Sequence, residues 1–102
     1  MSLRMSNEEI SRIISLFADL RGVNAEDIIA RNRKSKVCMT RSMIYEYLHH
    51  VKNISSYEIA RFFGRNRRNI LLCIQTFKGW ITYDTKLREE YNSLVEKIEE
   101  LL

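Results

Sequence analysis

Arg67, Arg68 and Asn69 follow directly on a Gly64-Arg65-Asn66 turn. Those residue types at the start of a helix carry a specific chemistry. A guanidinium donates a paired hydrogen bond to O6 and N7 of guanine, and a carboxamide does the same at N6 and N7 of adenine. The first helical turn adds its own unpaired amides, which suit a phosphate. Arg65, Arg67 and Arg68 also crowd the positive end of a helix dipole, which is locally unfavourable without an anion nearby. A second basic set, Arg31-Asn32-Arg33-Lys34-Ser35-Lys36, has no helical period and reads as a loop. Four cations in six residues suit backbone phosphates, or an arginine placed in a minor groove. Taken singly, each set also suits bland roles: a helical hairpin with a solvated start, and a basic surface loop.

Other chemistries find less support. His49 and His50 are adjacent, so they point to different helix faces and make a poor metal pair. Cys38 and Cys73 lack metal or redox spacing and read as small, reduced core residues. No nucleophile–base–acid set stands out, so no enzyme, cofactor, metal or small-molecule ligand is expected. Tyr45, Tyr47 and Tyr57 suit stacking on single strands, but their helical spacing favours the core for most of them.

The elements that must position these residues are helices. Prolines are absent and glycines number three, so few points force a turn. Ser6-Asn7-Glu8-Glu9 has the form of a capping box, and Ile10, Ile13, Ile14, Phe17 and Leu20 give a first helix over about 7–20, ended by Gly22. Asn24 is placed to cap a short second helix over about 25–30. A third, from about Val37 or Thr40 to His50, carries Met43, Ile44, Tyr47 and Leu48. Ser55-Ser56-Tyr57-Glu58 repeats the capping-box form, starting a short helix that Gly64 stops. Asn66 then caps a long helix bearing Ile70, Leu71, Ile74 and Phe77, to about Gly79 or Ile81. Leu87, Tyr91, Leu94, Val95, Ile98 and Leu101 stripe a last amphipathic helix, packed on the domain or pairing two copies in a homodimer.

This predicts an all-α fold of about six helices containing a helix-turn-helix over 55–77. In that motif the second helix enters the major groove with its N-terminal residues at base edges. The organisation reads as a disordered or tag-derived segment over 1–6, a helix-turn-helix domain over 7–81 and the C-terminal helix over 82–102. Charge follows the same division. Residues 21–68 hold eleven Lys/Arg and four Asp/Glu, a net +7, whereas 79–102 hold three and six, a net −3. A basic middle beside an acidic tail suggests a middle that meets a polyanion. No apolar run approaches the ~18 residues of a membrane span, and residues 1–7 do not resemble a signal peptide, so a cytoplasmic, nucleoid-associated protein is expected.

On these residues the chain resembles the C-terminal DNA-binding domain of the bacterial replication initiator DnaA, a helix-turn-helix domain of Trp-repressor-like topology. The resemblance runs from about Ile10 to Phe77 without an obvious gap. It is carried by Glu26-Asp27-Ile28-Ile29, the basic loop Arg31-Asn32-Arg33-Lys34, the helix Arg41 to Leu48, Ser55-Ser56-Tyr57-Glu58-Ile59, and the Phe63-Gly64 turn. It implies that Arg33 enters the minor groove, that Arg41, Ser55, Ser56 and Tyr57 lie near phosphates or the groove, and that Arg67, Arg68 and Asn69 read bases. The family's Gly-Gly-Arg-Asp-His-Thr-Thr signature stands here as Gly64-Arg65-Asn66-Arg67-Arg68-Asn69-Ile70, so recognition of the initiator's usual box is not expected. No Gly-x-x-x-x-Gly-Lys run occurs, so the initiator's ATPase module is absent from this sequence.

The expected function is sequence-preferring binding of double-stranded DNA in replication or transcription control. Arg31, Arg33, Lys34, Lys36, Arg41, Ser55, Ser56, Tyr57, Arg65, Asn66, Arg67, Arg68 and Asn69 are the contact residues. The alternative is a protein-interaction or dimerisation module that keeps the fold and has lost base reading.

Overall fold

Ser6 takes an extended backbone and opens the first helix, α1 (Asn7–Arg21), through a complete capping box. Its hydroxyl accepts from the Glu9 N–H at 3.2 Å, and the Glu9 carboxylate accepts from the Ser6 N–H at 3.3 Å. The computed structural model describes residues 5–102, so most of the expected N-terminal tail lies outside it. Within the described part, Met5 packs against the core and Ser6 is the cap. Gly22 ends α1 at φ 72°, in the left-handed region that favours glycine.

The remaining elements are α2 (Ala25–Ile29), α3 (Ser35–Glu46), a π-helical segment (Tyr47–Val51), α4 (Ser56–Phe63), α5 (Arg67–Tyr83) and α6 (Thr85–Leu101). Among the described residues the fold is all-α with six α-helices, as the sequence leads one to expect. Two details differ. α3 starts at Ser35, so Ser35 and Lys36 belong to its first turn, not to the loop. The Asn32 side chain accepts from the Lys34 N–H at 2.9 Å and bends the chain into the helix early. Asn24 starts α2 without a side-chain hydrogen bond.

α3 widens into the π-helical segment, where the Lys52 N–H donates to the Tyr47 carbonyl at 3.1 Å. Asn53 then turns at φ 58°, a conformation asparagine tolerates better than most residues. α5 runs through Gly79 to Tyr83, because Gly79 keeps a helical conformation; Asp84 then caps α6, accepting from the Leu87 N–H at 3.0 Å.

One hydrophobic cluster joins the layers. Phe17, Ile28, Ile44, Tyr47, Ile59, Phe77 and Ile98 are all buried in it, one from each α-helix and one from the π-helical segment. Tyr91, Leu94 and Ile98 bring the α6 stripe into the same core, against α1 and α5. Arg12 donates to the Leu101 carbonyl at 2.8 Å, Arg21 pairs with Glu90, and the Tyr47 hydroxyl donates to Glu99 at 2.8 Å. Most of the apolar stripe of α6 is therefore covered by its own chain, with Leu87 and Val95 partly buried and Leu101 51 % exposed. The Cα radius of gyration, 12.7 Å, matches the ~13 Å of one 100-residue domain. Among the described residues no helix is long and apolar enough to cross a membrane.

Candidate nucleic-acid interface

The turn between α4 and α5 is three residues long. Gly64 sits at φ 63°, and its N–H and that of Arg65 reach back to the last carbonyls of α4. Without a glycine there, a side chain would strain the left-handed backbone and tilt α5. Asn66 closes the turn, accepting from the Arg68 N–H at 2.8 Å. Ser55 caps α4 and accepts from the Glu58 N–H at 3.2 Å.

Two arginines tie this turn to the basic loop. Arg41, on α3, is only 7 % exposed. Its Nε donates to the Ile28 carbonyl at 2.8 Å, and its Nη2 to those of Asp27 (3.0 Å), Ala30 (2.8 Å) and Asn32 (3.1 Å). Those carbonyls close α2 and begin the loop, where a helix end leaves acceptors unmet. Arg65 donates to the Ala30 carbonyl from the other side at 2.8 Å. Arg41 was expected near phosphates; the structure instead turns it inward, because the α2 end supplies a denser set of acceptors. It is a positioning residue.

The loop and the turn thereby close on one recess of about 360 Å³, lined by Arg31, Asn32, Arg33, Arg41, Gly64, Arg65, Asn66 and Asn69. None of these lining residues is acidic. Segments 30 or more residues apart in sequence thus present their cations in one place. Arg33 continues into a second groove with Ser35, Cys38, Met39, Ser42 and Trp80.

The other expected contact residues are placed differently. Arg67 donates from Nε to the hydroxyl of buried Ser56 at 2.8 Å, and its guanidinium lies 4.2 Å from the centre of the Tyr57 ring. It is held along the α4 surface by these two contacts while the residue itself stays exposed. Tyr57 is 64 % exposed and shows its other face to solvent. Arg68 and Asn69 are exposed, and among the described residues neither makes a side-chain hydrogen bond. Lys34 is exposed at the start of α3. The Lys36 ammonium lies by Gly22 at the end of α1, 3.7 Å from where a Cβ would stand, away from the recess.

Asn32 and Gly64 line the recess without having been singled out as contacts, and Trp80 beside Arg33 was missed altogether. The signal for Asn32 was its place inside the loop; nothing local links Trp80 to a residue 47 positions earlier. Elsewhere, His49 Nδ1 meets the Ile54 carbonyl at 2.9 Å and His50 Nδ1 meets Glu46 at 2.5 Å. Burial pushes the Cys73 thiol up, away from the thiolate form that reacts. Neither a protein-family model nor a curated protein sequence matches the chain.

Proposed function

We propose that this chain binds double-stranded DNA, with the N-terminal turn of α5 in the major groove and the Arg31–Arg33 loop on the adjacent backbone or minor groove. The observation that carries this is the shared cationic recess between loop and turn, formed by residues distant in sequence. Arg31, Arg33 and Arg65 repel one another there, and a row of phosphates relieves that repulsion. Asn69 lines it, and Arg68 precedes Asn69 in the same helical turn. Both are exposed, among the described residues neither side chain makes a hydrogen bond, and their types read adenine and guanine. The resemblance of about Ile10 to Phe77 to the DNA-binding domain of DnaA supports the same reading, and the altered residues after Gly64 support a different target sequence.

Fluorescence polarisation with random and selected duplexes tests it. Binding is expected at low salt, weakening steeply and log-linearly as salt rises. No binding to any duplex at low salt overturns it. A second reading, a protein-interaction module, draws on a shallow apolar groove of about 640 Å³ bordered by Met39, Trp80, Tyr83 and Leu87. Neutralising Arg33, Arg67 and Arg68 together separates the two: a protein interaction survives the triple change, and DNA binding does not.

A further inference from the structure

The free face of α5 extends well past its first turn. Leu72, Thr76, Gly79 and Tyr83 recur at helical spacing opposite the buried Ile70, Ile74 and Phe77, and all four are exposed. Leu72, 51 % exposed, follows Arg68 by one turn. A lone exposed leucine needs no explanation; this one has three particular surroundings. First, α5 carries Arg67, Arg68 and Lys78 and no acidic residue, in a chain with 13 Asp and Glu. α6, by contrast, shows Glu89, Glu96, Lys97 and Glu100 to solvent. A helix without carboxylates over its whole length fits a polyanion better than an acidic or mixed-charge protein surface. Second, Gly79 sits inside the helix, where glycine is less stable than alanine, yet a Cβ there would meet nothing within 4 Å. Gly79 also lines the open groove with Met39, Trp80 and Tyr83, so no contact within the chain requires the glycine, whereas a surface approaching closely from outside does. Third, Arg67 is engaged with Ser56 and Tyr57, which leaves Arg68 and Asn69 as the outward polar residues immediately before Leu72.

We infer that Leu72 reads a thymine 5-methyl group in the major groove, one turn beyond the base contact of Arg68, and that Gly79 lets α5 lie close to the flanking sugar–phosphate chain. This rests on the DNA-binding reading above. The thymine methyl is an apolar group on the major-groove edge of that base, so a leucine there separates T·A from C·G without a hydrogen bond. Leu72 and Arg68 then act in register, one turn of helix spanning neighbouring base pairs. The preferred sequence is longer than the first helical turn alone would read.

The test uses the full chain and a duplex selected from a random pool. Each thymine is replaced singly by deoxyuracil, which removes only the methyl, and affinity is read by polarisation. One position is expected to lose about fourfold, the worth of one buried methyl, with wild type and nothing measurable with Leu72→Ala. Alanine is a good helix former at this exposed position, so the variant keeps its fold, checked by circular dichroism. If wild type binds duplexes but no deoxyuracil affects it more than it affects Leu72→Ala, the inference fails and DNA binding stands. If no duplex binds, both fail. A wild-type dimer that Leu72→Ala dissociates, with no deoxyuracil effect, assigns this face to a second copy and overturns the inference.

Discussion

Replacing Arg41 with alanine is the sharpest test of how the interface is built. The guanidinium makes four hydrogen bonds to carbonyls, at 2.8, 3.0, 2.8 and 3.1 Å, and no carboxylate is among these partners. A hydrogen bond involving a charged group contributes about 1.5–3 kcal/mol. Only the bond to Ile28 is buried; the other three are half-buried, and water can replace part of each. A loss of about 3–5 kcal/mol follows, a large share of the ~5–15 kcal/mol that holds a domain of this size. Arg41→Lys keeps the charge but puts its donors at one point, so it recovers less than half. Urea unfolding followed by circular dichroism measures this, with an unchanged m-value showing that both states are still being compared. The alternative role, a phosphate contact, predicts the reverse pattern: near-wild-type stability and weakened DNA binding. A measured loss below about 1 kcal/mol would refute the positioning argument, since unmet carbonyls at the α2 end cannot cost so little.

Other expectations follow from the same geometry. Arg68→Ala should cost about 1–3 kcal/mol on a preferred duplex and little on a random one; equal losses on both would remove Arg68 as a reader. Arg67→Ala should instead weaken all duplexes alike, because its contacts with Ser56 and Tyr57 hold the α4–α5 surface in place. Gly79→Ala should raise the melting temperature by several degrees, worth up to ~1 kcal/mol of helix stability, while lowering DNA affinity; a rise in both would show that nothing approaches this face. Among the described residues the buried Tyr45 hydroxyl has no hydrogen-bond partner, so Tyr45→Phe should stabilise by about 1 kcal/mol in thermal melts. Burial also pushes the Tyr45 pKa up from 10.0 to about 12. A raised folded-state pKa gives stability that is fully present below pH 10 and lost as pH climbs toward 12. The urea midpoint should therefore fall over that window, and Tyr45→Phe should make the fall shallower.

The helices were legible in the sequence because their signals are local. Ser6, Ser55, Asn66, Gly22 and Gly64 each mark an end through a bond or a backbone conformation within a few residues, and the structure uses all five in that way. The early start of α3 escaped notice because the Asn32 side chain, and not an apolar period, sets it. The π-helical segment has the same apolar spacing as an ordinary turn at Tyr47 and Leu48, so no pattern distinguishes it. The direction of each arginine was the least legible property. Arg41, Arg65, Arg67 and Arg68 share a chemistry, and only the tertiary placement of the α2 carbonyls, the Ser56 hydroxyl and the Tyr57 ring tells them apart.

That sorting of arginines has a physical logic. Several guanidiniums in one small recess repel one another, and in a flexible chain they would spread apart. Here Arg41 and Arg65 reach the Ala30 carbonyl from α3 and from the turn, so the peptide dipoles at the end of α2 offset part of the repulsion and fix the two walls together. Among the described residues the side chains of Arg31, Arg33 and Arg68 make no hydrogen bond, while the backbone that carries them is tied in place, which lowers the ordering entropy lost when a ligand binds. A cluster of identical cations in the sequence is thus two populations in the fold, one that builds the site and one that faces out of it. On the DNA-binding reading proposed above, substitutions in the first should appear as stability and uniform affinity changes, those of the loop arginines as affinity changes across all duplexes without a stability loss, and that of Arg68 as a change in which sequence is bound.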